Sequence, residues 1–255
     1  MNRTLKLTYI TIFLLVLYFP IAMLVANSFN LSVYSVKWEG FTLMWYQRAL
    51  ENFALMSALK NSLILAFSSA FCVTVIATIS AFSFYRYQYP GRRIVYFFVQ
   101  TMVMFPDIIL GISLLLLFII FHIKLGYVTL LIAHISLALP FAIITIFIGF
   151  QGLDRNIIEA GKDLGASDYE VFSKIILPII FPNLVSAYLI AFTLSLDDVV
   201  VSYFVSAPDY EILPLIIYSL AKLGIKPEVN AVCASMLVLS VIFIIISQTL
   251  IRKKL

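Results

Sequence analysis

Three carboxylates stand where the surrounding sequence is almost wholly apolar. Asp107 follows Pro106 and precedes Ile-Ile-Leu, while Asp197 and Asp198 sit side by side between Ser195-Leu and Val-Val-Val. Ionised groups in such surroundings are costly and ordinarily face an aqueous path or a partner charge. Carboxylates along a path attract cations, and aromatic faces add cation–π attraction for ammonium groups. Pro106 removes a backbone N–H just before Asp107, which opens the backbone where a span lines a cavity. Neighbours on a helix point about 100° apart, so Asp197 and Asp198 cannot face one cavity equally, and spacing does not choose between them. Trp45 and Tyr46 are the leading aromatic candidates for a gate or contact, followed by Tyr18, Tyr203 and Tyr210. With 14 Tyr and 22 Phe in the chain, many rings also serve as interface belts. His122 and His134 read as interfacial or packing histidines, with no metal site around them.

The elements that position these groups are helices in lipid. The 255 residues are 63% hydrophobic and 12% charged, with a mean hydropathy of +1.06. Soluble domains carry about 25% charged residues, and burial on folding stops near roughly 75% of the surface at this length. A water-soluble globule is therefore excluded. Cys72 and Cys233 both lie inside apolar runs, so they read as small hydrophobes, not as a disulfide framework. Six runs are long enough to cross a bilayer as helices: residues 8–26, 62–84, 94–121, 128–150, 176–205 and 229–251. The overlong third and fifth hold Pro106 and Pro182, which predicts kinks or breaks there. None alternates as barrel strands do.

The placement of basic residues orients the chain. With the amino terminus in the cytoplasm, eleven of the 17 basic residues lie inside: Arg3, Lys6, Arg86, Arg92, Arg93, Arg155, Lys162, Lys174, Arg252, Lys253 and Lys254. Six lie outside: Lys37, Arg48, Lys60, Lys124, Lys222 and Lys226. Both termini are therefore expected in the cytoplasm. The first run exceeds a signal-peptide core and lacks a small-x-small cleavage site, so it reads as an uncleaved helix. The expectation is an all-α polytopic membrane protein, a single membrane domain over residues 1–255 with no soluble domain at either end.

The inner loop between the fourth and fifth runs has its own grammar. Asp154 is placed to cap a helix in which Ile157, Gly161 and Leu164 form one stripe. Gly165 is placed to end it in a left-handed turn, and Ser167 with Glu170 forms a capping box for a second short helix. Pro178 marks the start of span five. The stripe must be covered either by the protein's own spans or by a cytoplasmic partner.

Glu159-Ala160-Gly161, Gly165, Ile175 and Leu177-Pro178 resemble the Glu-Ala-Ala signature of ATP-binding-cassette (ABC) importer permeases, with the spacing matched throughout. The third signature position departs from it, Gly161 standing where that family has Ala. The residues 85–92, Pro106-Asp107-Ile, Lys162 to Ser167, Ser195 to Ser202 and Tyr210 to Pro214 resemble, more narrowly, the permeases of spermidine/putrescine importers, over nearly the whole chain. The resemblance implies the type I ABC importer permease fold in a bacterial inner membrane. It also implies a heterodimer with a second, related permease, an ABC ATPase dimer, and an extracytoplasmic polyamine-binding protein. It assigns ATPase coupling to the loop 151–175, on Glu159, Ala160, Gly161, Asp163, Leu164, Gly165 and Ala166. The substrate path, read from the charges and rings themselves, is expected at Asp107, Asp197, Asp198, Ser195, Trp45, Tyr46, Tyr203 and Tyr210. The chain lacks a Gly-x4-Gly-Lys-Ser/Thr loop to cradle phosphates, so ATP would be bound by the partner, with no cofactor, metal or nucleic acid here and no catalysis by this chain.

Other readings differ at these same residues. A related permease for ferric iron, thiamine or sulfate would share the fold, but an anion would call for basic residues or helix N-termini on the path. An intramembrane aspartyl enzyme using Asp107 with Asp197 would need a shared-proton dyad, and the Gly-x-Gly-Asp signature is absent. A secondary carrier would carry internal repeats and more spans.

Overall fold

The computed structural model describes the backbone of residues 3–33, 37–223 and 227–252, and their side chains except at 3–5, 155, 223 and 243–252. Lys226, Lys253 and Lys254 of the topology count, with the side chains of Arg3, Arg155 and Arg252, lie outside the described residues. Among the described residues twelve α-helices follow in order: α1 Arg3–Ser28, α2 Met44–Glu51, α3 Phe53–Arg86, α4 Arg92–Met102, α5 Asp107–Ile120, α6 Tyr127–Gln151, α7 Arg155–Asp163, α8 Asp168–Glu170, α9 Leu177–Asp197, α10 Val200–Val205, α11 Leu213–Leu223 and α12 Pro227–Arg252. A π-helical stretch, Val171–Ile176, joins α8 to α9. Among the described residues only isolated β-bridges accompany them, Asn30 with Phe41 and Ala207 with Tyr210.

Among the described residues four helices are long and apolar enough to cross a bilayer: Lys6–Ser28, Phe53–Arg86, Tyr127–Gln151 and Asp168–Asp197. The third expected run is broken as its proline predicts, but sharply, α4 and α5 meeting at 110°. Pro106 is extended at φ −65° and ψ 127°; it lacks an N–H and disfavours helical backbone at Phe105 before it. Counting that pair as one span gives five. The sixth expected run is helical as α12, 26 residues long, with side chains beyond Ile242 outside the described residues.

The fifth expected run departs from the reading at Pro182. The helix runs through it, and the break falls instead at Asp198, whose backbone is extended at ψ 123°. The inner loop's second helix is not a short separate one either. Residues Asp168–Asp197 form one continuous helix, because the wider π turns, in which Leu177 N–H donates to the Phe172 carbonyl five residues back, carry the chain past the missing N–H of Pro178.

The chain divides into two compact units. In the unit Met1–Ser57 with Ile216–Leu255, α12 packs on α1 and α2. The apolar window of α1 is uncovered along its whole length. In the unit Ala58–Leu215, α6 lies along α9, close enough that a Cβ on Gly149 would sit 2.6 Å from Asn183 Cγ. Small residues Ala66, Ala70, Val73, Ala77 and Ala81 of α3 are fully buried. Their spacing of three and four makes one stripe that lets helices approach closely in lipid. Gly111 does the same for α5 on α10, its missing Cβ leaving room for Phe204 and the Val201 backbone.

Candidate functional site

The inner loop folds as its residues dictate. Asp154 accepts a hydrogen bond from Asn156 N–H at 2.9 Å, capping α7. The helix ends in a Schellman turn: Gly165 at φ +84°, its N–H donating to the Lys162 carbonyl at 2.8 Å and the Ala166 N–H to the Gly161 carbonyl at 3.1 Å. Ser167 Oγ accepts from Glu170 N–H at 3.3 Å while Glu170 Oε2 accepts from Ser167 N–H at 3.1 Å, completing the expected capping box. Lys162 pairs with Asp168 at 2.7 Å across the turn. At this polar end of the helix Lys174 Nζ donates to Glu170 Oε1 at 2.9 Å.

The signature residues turn out to be one packing unit. A Cβ on Gly161 would lie 2.7 Å from Ile175 Cδ1, so the small third position and the later isoleucine of the motif meet. Gly161, where the resembled family has Ala, gives that contact its room. The rest of the stripe points away from the protein: Leu164 is 90% exposed and Ile157 46%, with Glu159, Ala160, Asp163 and Gly165 also exposed and Ala166 half-buried. The chain's own spans therefore do not cover these apolar groups.

The acids separate. Asp107 is exposed as the first residue of α5, beside the helix end that favours negative charge. Among the described residues no basic side chain pairs with it. Asp197 is exposed and Asp198 buried, which resolves their different directions. Asp198 Oδ2 accepts from Ser202 N–H at 2.8 Å and from Ser202 Oγ–H at 2.8 Å; Oδ1 accepts from Val201 N–H at 3.2 Å. It restarts the helix as α10 after the break.

That cap belongs to a buried relay. His134 on α6 lies between Ser195 Oγ, 2.6 Å from Nδ1, and Ser202 Oγ, 2.9 Å from Nε2. Because the Ser202 hydroxyl is spent on Asp198, its oxygen accepts from Nε2–H, which leaves Nδ1 to accept from Ser195. Ser195, expected on the path, thus sits in this relay, 3% exposed. His134, read as packing or interfacial, is packed and buried, and it is also the polar link between α6 and both halves of the broken helix. The spacing of four between Asp198 and Ser202 was a visible signal; the partner on α6 had none.

The aromatic candidates do not converge. Trp45 is 2% exposed; its Nε1–H donates to the Asn30 carbonyl at 2.7 Å, and Arg48 covers its ring at 5.0 Å. Its indole needs a buried acceptor and has one, so Trp45 is core and not a gate. The Tyr46 hydroxyl meets Ser28 Oγ at 2.7 Å. Tyr210 donates to the Asn61 carbonyl at 3.2 Å and packs on Tyr127, centroids 5.3 Å apart. Tyr203 and Tyr18 remain exposed. His122 ends α5 at φ 53°. Among the described residues no cluster could hold a metal ion.

Residues 73–255 match the family described as binding-protein-dependent transport system inner membrane component. The chain is 44% identical over 253 residues to the spermidine/putrescine transport system permease protein PotC of Escherichia coli K12, covering 99% of this chain and 96% of that one. It is 46% identical over 237 residues to PotC of Haemophilus influenzae, covering 93% and 92%. Among solved structures, a bacterial ABC transporter involved in the import of the acidic polysaccharide alginate superposes with a TM-score of 0.73 at 16% identity, over 99% and 98% of the two chains. That last likeness is one of fold.

Proposed function

The chain belongs to the family of binding-protein-dependent transport system inner membrane components, and from that membership we propose that it is the permease subunit of an ATP-driven importer moving spermidine and putrescine into the cytoplasm. The observation that carries the substrate is the near end-to-end identity with spermidine/putrescine permeases. Two features of the site support it. Asp107 and Asp197 are exposed carboxylates in apolar surroundings, suited to ammonium groups. Asp198 spends its oxygens on the buried cap, so its part is to hold the helix break from which Asp197 projects.

The partner ATPase docks on α7, where Leu164 and Ile157 present apolar surface outside the chain. Glu159, Ala160, Asp163, Gly165 and Ala166 frame that contact, and Gly161 seats it on Ile175. The ATPase is a dimer that binds the ATP; a related permease completes the pore, and an extracytoplasmic polyamine-binding protein delivers the substrate. The whole chain acts as one membrane domain, with the loop 151–175 as its coupling element.

The test is uptake by proteoliposomes holding this permease, its sister, the ATPase and the binding protein. Labelled spermidine and putrescine should enter only with ATP and binding protein. Failure of both, with uptake of thiamine, sulfate or ferric iron, would replace the substrate while keeping the family.

A further inference from the structure

The ends of α3 and α6, the start of α4, α7 and the beginning of the α8–α9 helix enclose a cavity of about 1080 Å³. Its floor is aromatic, with Phe82, Phe147 and Phe172. Its rim is basic, with Arg86, Arg92 and Lys162. Two acids, Glu159 and Asp168, also line it, and Asp168 is taken by Lys162. Among the described residues neither Arg86 nor Arg92 makes an ion pair. The N-terminus of α4, which begins at Arg92, carries no side-chain cap, so its amide dipoles add to the positive rim. Tyr85 in the same wall has a buried hydroxyl with no acceptor among the described residues.

We infer that this cavity seats the headgroup of an anionic phospholipid from the cytoplasmic leaflet. Basic pockets between spans on that side are where such headgroups bind. The cavity lies where the apolar helices α3, α6 and α8–α9 reach their polar ends at Arg86, Gln151 and Asp168, which is where a span of this family would meet the headgroups. The helix leaving its rim exposes Ile94, Val95, Phe97 and Phe98, a surface for acyl chains that a free phosphate would not use. This inference rests on the membrane placement of the family and not on the polyamine substrate.

The test measures lipid retained by the permease purified in complex with its ATPase and sister subunit, after equilibration with vesicles of equal phosphatidylglycerol and phosphatidylcholine. Native mass spectrometry reads the bound lipid. Retention should favour phosphatidylglycerol, and Arg86→Gln and Arg92→Gln should each cut that preference about fivefold. Arg93→Gln, outside the cavity, should leave it unchanged, and the phosphatidylcholine count serves as the control for folding. An equal loss in Arg93→Gln would reduce the effect to diffuse surface attraction. Displacement by soluble glycerol 3-phosphate at equal concentration would make it a free-phosphate site. Retention only after the ATPase is stripped away would make the cavity part of the ATPase contact. Any of these three results overturns the proposal. Uptake is not the readout, so a wrong substrate and a wrong lipid site give different failures.

Discussion

Asp107 is exposed on apolar α5 with no basic partner among the described residues, so its negative charge is proposed to meet the passing cation. Asp107→Asn keeps its shape and removes that charge. Loss of one charge-assisted contact is worth about 1.5–3 kcal/mol, so polyamine uptake should fall roughly ten- to a hundredfold with normal subunit recovery. Lost recovery would instead make Asp107 an assembly contact. His134 has the opposite character, since every polar atom it touches is buried. His134→Leu strands the Ser195 hydroxyl and removes a donor from Ser202, which should cost about 1–3 kcal/mol and lower the melting temperature of the purified permease. An unchanged melt would show that the relay does not hold α6 to the broken helix. The carboxylates were legible from sequence because charge in an apolar run stands out. The relay was not, because His134 and Asp198 are 64 positions apart and only packing joins them. Trp45 misled for a related reason: an indole beside a span has the same sequence signature whether it faces a path or a core.

At the scale of elements, local rules carried the inner loop further than any other segment. Asp154, Gly165 and the Ser167–Glu170 box all act within four residues, so their chemistry is complete in the sequence. Gly165→Val tests the turn cleanly. A Cβ there meets nothing within 4 Å, so the penalty is the left-handed backbone alone, about 1–2 kcal/mol. The variant should insert and pair with its sister but lose its ATPase on purification; full retention with normal uptake would remove α7 as the dock. Helix breaks were harder to read. Proline warned correctly at Pro106, whereas the helix runs on through Pro182. The break at Asp198 has no proline; its own side chain supplies the cap that makes stopping and restarting affordable.

For the whole molecule, orientation is the expectation that reaches furthest. In a background with Cys72 and Cys233 replaced by Ala, a cysteine at Lys124 should react in intact cells with a membrane-impermeant maleimide, and one at Gln88 only after lysis. The reverse pattern would invert every assignment of side, including that of α7. The uninterrupted helix from Asp168 to Asp197 has a mechanical consequence. Thirty residues at 1.5 Å each make a rod about 45 Å long, anchored at one end by the turn that carries α7 and ending at the other beside Asp197. A tilt of about 5° at the cytoplasmic end swings the far tip by about 4 Å, the width of a methylene chain. In the proposed importer, a push on α7 by the ATPase would therefore reach the far end of the span along a single helix, without a relay of separate elements.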